Sequence, residues 1–306
     1  MPTEAWPSLP YEAWKDTYET LHRWTQIVGK IRLRQMPWIN HSWHVTLYPS
    51  ACGITTMAMP HGERTFQIDF DFIRHVLRIQ SSHRPTAEIP LRTRTVADFY
   101  RELMEKLASL DLPVRIYKRP NELSDTLPFD EDVTHHTYDP EYANRFSRVI
   151  DSTTHVFQDF RARFLGKSSP VHFFWGSFDL AVTRFSGRPA PMHPGKVPNL
   201  PDWVAREAYS HEVSSVGFWP GGEAAPFPLF YAYAYPEPPQ FSSAAVRLSA
   251  ACYHPMLREF VLPYEEMRKT ASPDKTLFEF AQSTYEVAAN LASWDRAALE
   301  RGSVPK

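Results

Sequence analysis

The chain has 306 residues, of which 33 are basic and 35 acidic, so its formal net charge at pH 7 is -2. This balance excludes the general electrostatic attraction that draws strongly basic proteins to nucleic acids or to anionic membranes. A chain of this length buries about 75% of the surface that its unfolded form exposes, so its core needs no disulfide or metal. No run reaches ~18 uninterrupted apolar residues, and no membrane-spanning helix is expected.

The two cysteines, Cys52 and Cys252, lie far apart in the sequence and form no CxxC pair. They are interpreted as reduced, buried thiols, which is typical of a cytoplasmic protein. The first residues, MPTEAWPSLPYEAW, contain neither the basic segment nor the apolar segment of a signal peptide. We therefore predict a cytoplasmic location.

The first half of the chain reads as a helix, several short strands and a second helix. Apolar residues recur at helical spacing over 11–35, and residues 43–91 contain short β-branched or aromatic runs separated by Gly, Pro and Ser. Helical spacing returns over 95–110, with Thr95 as the N-cap. VRIYK (114–118) is predicted to form a short strand, and the polar, acidic residues 119–139 are predicted to form a loop.

The second half repeats this order. A helix is predicted over 140–165, capped by Asp139 with Pro140 at its first position. HFFWGSF, LAVTRFSG, HEVSSVGFW and PLFYAYAY follow as strands, and a Pro-rich loop is predicted at 189–201. The chain closes with one or two helices, one of them over 276–299.

The two halves also share short sequences. WHVTLY…GITT (43–56) aligns without a gap with VHFFWG…AVTR (171–184), and each half ends in a LASxD sequence. An internal duplication and chance similarity both explain this. We predict an α+β fold of two similar lobes of antiparallel sheet, each with helices packed on one face. The predicted division is an N-terminal lobe at 1–120, a connecting loop at 121–139 and a C-terminal lobe at 140–306, which could also pack as one domain.

Residues 171–188, VHFFWGSFDLAVTRFSGR, carry ionisable side chains within an apolar run. A buried ionisable group costs several kcal/mol unless it is paired or hydrogen-bonded, so the segment predicts either an internal polar network or the wall of a site. Strand alternation places Asp179 on one face and His172 on the other. Asp179 is expected to have a raised pKa unless Arg184 or Arg188 pairs with it.

The sequence FYAYAYPEP places Tyr231, Tyr233, Tyr235 and Glu237 on one strand face and small alanines on the other. Small residues let a helix approach closely, so the alanine face is expected to be buried. The tyrosine face then lines a groove or solvent. Ordinary tyrosine packing and a ligand-binding aromatic wall are both compatible with this pattern.

Histidines offer two further interpretations. In AYSHEVSSVGFW, a strand points His211 and Glu212 in opposite directions, and His211 is either a structural histidine or a site residue. A metal-dependent enzyme is the weaker interpretation, because zinc needs three or four converging ligands. Its candidate histidines are His41, His44, His136 and His172. We assign no metal centre.

No GxGxxG, GxxxxGK[ST] or GxSxG motif occurs, so no cofactor is evident and no nucleophile elbow is predicted. The preferred hypothesis is a small-molecule-binding protein or enzyme with an aromatic-lined polar cleft, in the C-terminal lobe or at the lobe junction. Such a cleft suits sugars or aromatic compounds, and one form of this hypothesis is a hydrolase using Asp179 or Glu237. The candidate catalytic residues are Asp179, His211, His172 and Glu212; the candidate ligand-binding residues are Trp175, Arg184, Arg188, Tyr231, Tyr233, Tyr235 and Glu237.

The main alternative is a non-catalytic interaction protein whose aromatic residues form a homo-oligomer interface. The expected partners are thus a small molecule or a second copy of the chain, with no nucleic acid and no membrane.

Six blocks carry a resemblance to a known family: TLHRWTQIVGKIRL, NHSWHVTLY, FDFIRH, SPVHFFWGSFDLAVTRFSGR, EAYSHEVSSVGFWPGG and FYAYAYPEP. The chain resembles a bacterial family catalogued as domain of unknown function 5996, over roughly residues 6–300. The resemblance implies a stand-alone bacterial protein and no particular catalytic residue. Ser42 departs from the bulky aromatic residue expected in NHxWH, which weakens the idea of an aromatic cage at that turn.

Overall fold

The computed structural model describes residues 4–83, 85–197 and 199–302. The helices are α1 (Tyr11–Gln35), α2 (Val96–Ser109), α3 (Pro140–Ala162), α4 (Asp202–Ala208), α5 (Tyr264–Arg268), α6 (Pro273–Leu291) and α7 (Arg296–Leu299). The strands are β1 (Tyr48–Ser50), β2 (Gly53–Thr55), β3 (Met59–His61), β4 (Arg64–Asp71), β5 (Val76–Ser81), β6 (Ala87–Pro90), β7 (His172–Phe174), β8 (Asp179–Pro189), β9 (His211–Trp219), β10 (Leu229–Tyr235), β11 (Cys252–His254) and β12 (Glu259–Pro263).

The strands of the first half form one antiparallel sheet in the order β1-β2-β4-β5-β6, and β3 pairs with β4. Phe66, Ile68 and Phe70 of β4 are all buried, because alternate side chains of a strand point to the same face. Helices α1 and α2 contact this sheet, and the ring of Trp24 in α1 stacks on Phe99 of α2 at 4.6 Å. The segments with apolar periodicity thus form a sheet that is covered by helices.

The strands of the second half form an antiparallel sheet in the order β11-β12-β10-β9-β8-β7. One face of this sheet, here called the inner face, carries Val182, Val216 and Ala232, which are buried in the main core. Helix α6 contacts β9 and β10 there. The opposite, outer face carries Tyr231 and Tyr233, so the alanine face is the buried one, as the sequence predicts.

The two sheets meet edge to edge. The backbone N–H of Leu47 donates to the carbonyl of Phe173 at 2.9 Å, and the N–H of Phe173 donates back at 2.8 Å. Above this junction Trp14 of α1 packs on Phe146 of α3 with ring centroids 5.4 Å apart, and one apolar cluster runs through both halves. The prediction of an α+β fold with two antiparallel sheets is confirmed.

Two predicted helix starts are confirmed in detail. The Thr95 hydroxyl accepts a hydrogen bond from the backbone N–H of Asp98 at 3.0 Å. The Asp139 carboxylate accepts from the N–H of Glu141 at 2.9 Å, with Pro140 at the first helical position. Both side chains satisfy N–H groups that have no partner inside the helix.

Other boundaries differ from the predictions. Residues 114–118 form no strand, because within the described chain their backbone makes a single hydrogen bond, from the N–H of Phe129 to the carbonyl of Lys118 at 2.9 Å. Helix α3 ends at Ala162 rather than at residue 165. The helix predicted over 276–299 is divided: α6 ends at Leu291, Ser293 adopts a left-handed conformation (φ 53), and α7 starts at Arg296.

The structure can be compared with the predictions made for the two cysteines and for membrane-spanning helices. Cys52 and Cys252 are both free thiols, but Cys252 is exposed, so the prediction that both are buried is wrong. Within residues 4–83, 85–197 and 199–302, every helix is too short or too polar to cross a bilayer.

Candidate functional site

The outer face of the C-terminal sheet gathers polar side chains from four neighbouring strands. Tyr231 lies opposite Gly217, and Tyr233 lies opposite Ser215, so these four residues share one face. A methyl group at Gly217 would stand 2.3 Å from the Tyr231 hydroxyl oxygen, which shows how closely the phenol lies over the strand. The same face receives Asp179 from the start of β8 and Glu259 from the start of β12.

Asp179 is held by neutral hydroxyl groups rather than by a cation. Its side chain is 7% exposed. Ser177 donates to one carboxylate oxygen at 2.6 Å, and the Tyr231 hydroxyl donates to the other. Burial raises the pKa of Asp179 above its usual range, and the two hydrogen bonds only partly offset this.

Two further carboxyl groups face Asp179. Burial, reinforced by the negative charge of Asp179, raises the pKa of Glu122 to about 7 and that of Glu259 to about 8. Glu122 comes from the loop between α2 and α3, and its carboxylate lies against Gly176, where a methyl group would stand 2.0 Å from Oε1. Within the described parts of the chain, none of the three carboxyl groups forms an ion pair with a lysine or arginine.

Tyrosine side chains surround these acids. The Tyr209 and Tyr233 hydroxyls are 2.9 Å apart, and the rings of Tyr231 and Tyr233 stack at 6.1 Å. Burial, with the nearby Glu259 and Asp179 charges, raises the pKa of Tyr209 to about 12, so the phenol stays protonated at neutral pH. We call Glu122, Asp179, Glu259, Tyr209, Tyr231 and Tyr233 the carboxyl–tyrosine site.

The backbone on both sides of this site is strained. Glu122 has φ 59, and Phe178, directly before Asp179, has φ 61. Left-handed conformations are uncommon for residues other than glycine and cost on the order of 1–3 kcal/mol each. The surrounding structure therefore has to hold the two carboxylates in place.

Helix α1 supplies part of that support through a polar stripe at four-residue spacing, His22, Gln26 and Lys30. The Gln26 amide donates to the carbonyl of Asn121 and accepts from its N–H, both at 2.8 Å. Lys30 donates to the Asn121 side-chain oxygen, and the His22 ring lies 2.8 Å from the Gly176 carbonyl. Burial lowers the pKa of Lys30 to about 8 and that of His22 to about 4.

His172 lies on the outer face but outside the carboxyl–tyrosine site. It is opposite Ala181, and Phe174 is opposite Asp179, so the predicted separation of His172 and Asp179 onto two faces is wrong. Residues 175–178 form a turn, and strand alternation does not continue through it. His172 is 1% exposed beside Trp43 and Phe174, neither ring nitrogen has a partner among the described residues, and burial lowers its pKa to about 3.

His211 and Glu212 point to opposite faces, as their adjacency in a strand predicts. The His211 ring lies 5.8 Å from that of His41. Glu212 forms an ion pair with Arg188 at 2.7 Å and accepts from Ser186 at 2.8 Å. This pair is a local polar contact and does not reach Asp179.

Three candidate ligand-binding residues are engaged elsewhere: Arg188 in its ion pair with Glu212, and Trp175 and Arg184 in contacts with other elements. Trp175 is buried against Gly29 of α1 and donates from its indole nitrogen to the Val45 carbonyl at 2.7 Å. Arg184 is 0% exposed on the inner face, with its guanidinium 3.5 Å from the Phe160 ring centroid. Burial lowers the pKa of Arg184 to about 10.

Of the remaining two, Tyr235 borders the site. Tyr235 donates to the Pro191 carbonyl at 3.0 Å, and its ring lies 5.2 Å from Tyr209. Glu237 accepts from Tyr253 at 2.9 Å and lies 3.4 Å from Arg258. Of the residues named from the sequence, Asp179, Tyr231 and Tyr233 are therefore brought together, with Tyr235 beside them.

The candidate metal histidines make other contacts. His41 Nδ1 lies 2.9 Å from the Ala208 carbonyl, its Nε2 lies 2.8 Å from Lys167, and His136 Nδ1 lies 2.7 Å from the Thr134 carbonyl. Among the residues with described positions, no three His, Cys, Asp or Glu side chains are placed to hold a metal ion.

Sequence reasoning missed Glu122, Glu259 and Tyr209. Glu122 lies in the segment interpreted as a connecting loop, and Glu259 lies in a region where only helices were predicted. Neither has a motif around it. The one usable signal was the acidic character of residues 119–139, which was interpreted as a boundary.

The comparisons with known proteins give a family but no activity. A family model described as a family of unknown function (DUF5996) matches residues 6–301. No curated protein and no solved structure is significantly similar to the chain. Because the matched span covers nearly the whole sequence and confirms the resemblance of the six blocks, the chain belongs to the family of unknown function DUF5996.

Proposed function

We propose that the protein binds a small organic cation, such as an amine, at the carboxyl–tyrosine site. The observation that carries this proposal is the convergence of Glu122, Asp179 and Glu259 without a lysine or arginine partner among the described residues. Carboxyl groups in this situation keep protons that they would lose in water. A bound cation supplies the missing opposite charge.

The tyrosines favour the same ligand class. A cation within ~6 Å of a tyrosine ring face is attracted by the ring, by about 0.5–2 kcal/mol depending on desolvation. Tyr209, Tyr231 and Tyr233 are partly exposed, their rings pack on one another, and the Tyr231 hydroxyl donates to Asp179. Several acids with perturbed pKa values on one face of a sheet are also a general mark of functional sites.

The test compares benzylamine with the neutral benzyl alcohol in a thermal-shift titration. A ligand at about 100 times its dissociation constant adds about 2.7 kcal/mol to the free energy of unfolding. We expect stabilisation by benzylamine alone and its loss in Asp179→Asn, whereas Asp151→Asn at an exposed position is the control. Equal stabilisation by both compounds, or an unchanged response in Asp179→Asn, contradicts the proposal.

A proton measurement adds an independent readout. A bound cation lowers the pKa of Glu122 and Glu259, which release protons at neutral pH. The heat of benzylamine binding therefore depends on the ionisation enthalpy of the buffer. Binding without proton release would show that the ligand does not contact these carboxyl groups.

General acid–base hydrolysis is a second candidate function. It is favoured by the pKa of about 7 at Glu122, which lets one carboxyl group act as a proton donor beside a second that can accept one. In this reaction Glu122 protonates the leaving oxygen, Asp179 removes a proton from the attacking water, and the scissile bond breaks. Nitrophenyl glycosides and esters provide the assay, and turnover that survives in both Glu122→Gln and Asp179→Asn rejects this candidate.

We also propose that the protein acts in the cytoplasm of a bacterium. The free thiols of Cys52 and Cys252 support a reducing compartment. Labelling of both thiols in freshly lysed cells without prior reduction is the test.

A further inference from the structure

The segment of residues 113–118 has the side-chain pattern of a strand but no strand partner. Val114 and Ile116 pack against the core, whereas Arg115 and Tyr117 are exposed, the latter at 70%. Within the described chain, the backbone of residues 113–117 forms no hydrogen bond. Such a row of free N–H and C=O groups is a template for pairing with another extended chain.

A groove of about 570 Å³ runs between this segment and α2. Tyr100 and Met104 of α2 form its apolar wall together with Val114 and Ile116. The groove therefore places an unpaired backbone beside an apolar surface, which are the two features that an added strand requires: hydrogen bonds along its edge and pockets for alternate side chains.

We infer that a second copy of this chain occupies the groove, pairing its own residues 113–118 antiparallel to the first. A two-fold axis places four elements side by side: α2 of the first copy, residues 113–118 of the second copy, residues 113–118 of the first copy, and α2 of the second copy. The groove of each copy is then filled by the segment of the other. In a two-fold interface the same surface must complement itself. An axis at Ile116 achieves this, because it keeps exposed Arg115 opposite exposed Tyr117 on one face of the pair.

The charges of the groove support this occupant. Arg115 and Glu105 both line it, both are exposed, and neither forms an ion pair with any described residue. The other charged side chains there have local partners, such as Lys118 with Asp130 at 2.5 Å. Each copy thus offers one free cation and one free anion, and the two-fold arrangement brings Arg115 of each copy to the α2 surface that carries Glu105 of the other.

Sedimentation velocity over about a hundredfold range of protein concentration tests the inference. We expect the wild type to dimerise, Arg115→Glu and Glu105→Arg each to weaken the dimer at least about tenfold by placing like charges together, and the double variant to recover most of the loss. Arg34→Glu, at an exposed position outside the groove, is the matched control, and circular dichroism checks that each variant is folded.

A wild type that stays monomeric throughout the range overturns the inference. So does a dimer that survives both single charge reversals, or a double variant no stronger than the singles. These outcomes are separate from the proposed function, because the groove shares no residue with the carboxyl–tyrosine site and benzylamine binding can be measured in the same variants.

Discussion

Replacing Glu259 with glutamine should make the protein more stable above neutral pH. Burial, with the charge of Asp179, raises the pKa of Glu259 from 4.5 to about 8. The folded state therefore holds a proton that the unfolded state releases between these two values. The stability that this proton provides is fully present below about pH 4.5 and is lost as the pH rises through about 8. Glutamine has the same shape and never ionises, so the variant avoids this loss.

The size of the effect follows from the shift in pKa. At 1.36 kcal/mol per unit, the full rise in the pKa of Glu259 corresponds to an upper limit of about 5 kcal/mol. Water reaching the side chain and small movements of it reduce this limit, and we expect about 2 kcal/mol at about pH 9. For a chain of this size, that difference raises the melting temperature by roughly 4 °C.

Urea titrations at about pH 5 and about pH 9 measure the effect. The variant and the wild type should be nearly equal at the lower pH and separate at the higher one. Glu63→Gln, which changes an exposed carboxyl group, is the matched control. A Glu259→Gln variant whose difference from the wild type is the same at both pH values would refute the reasoning.

Substitutions at three other positions probe the contacts around the site and the core. Gly29→Ala places a methyl group 2.2 Å from the Trp175 ring and should lower the free energy of unfolding, measured by urea titration, by about 3 kcal/mol. An unchanged free energy of unfolding would mean that the ring moves freely. Arg184→Ala should cost about 3 kcal/mol, whereas Arg184→Met should cost little, because the apolar chain keeps the packing and removes a buried charge; equal losses would contradict this. Gly176→Ala displaces the Glu122 carboxylate and should weaken benzylamine binding at least about tenfold with little change in stability, which calorimetry and a thermal melt together measure.

The sequence predicted those features that depend on neighbours along one strand. The alternation of tyrosine and alanine in FYAYAYPEP indicated which face of β10 contacts α6, and the structure confirms it. The raised pKa of Asp179 followed from its apolar surroundings, since neither Arg184 nor Arg188 pairs with it. In each case the relevant physics is local to a few residues.

The features that were missed depend on distant segments or on the backbone. Glu122 and Glu259 reach Asp179 from separate loops and strands, and no spacing in the sequence encodes that approach. The faces of His172 and Asp179 were wrong because the turn at 175–178 resets the alternation, and the left-handed Phe178 that completes it has no signature such as glycine.

The paired backbone of Leu47 and Phe173 has a consequence for any attempt to separate the halves. Each residue pairs with the backbone N–H and C=O groups at the edge of the opposite sheet. A gene fragment encoding one half would therefore produce a polypeptide whose sheet has an unpaired edge. Unpaired sheet edges of this kind form backbone hydrogen bonds with other polypeptides, which leads to aggregation. We therefore expect either fragment to aggregate when it is expressed alone, and the two complementary fragments to remain free of aggregates when they are expressed together.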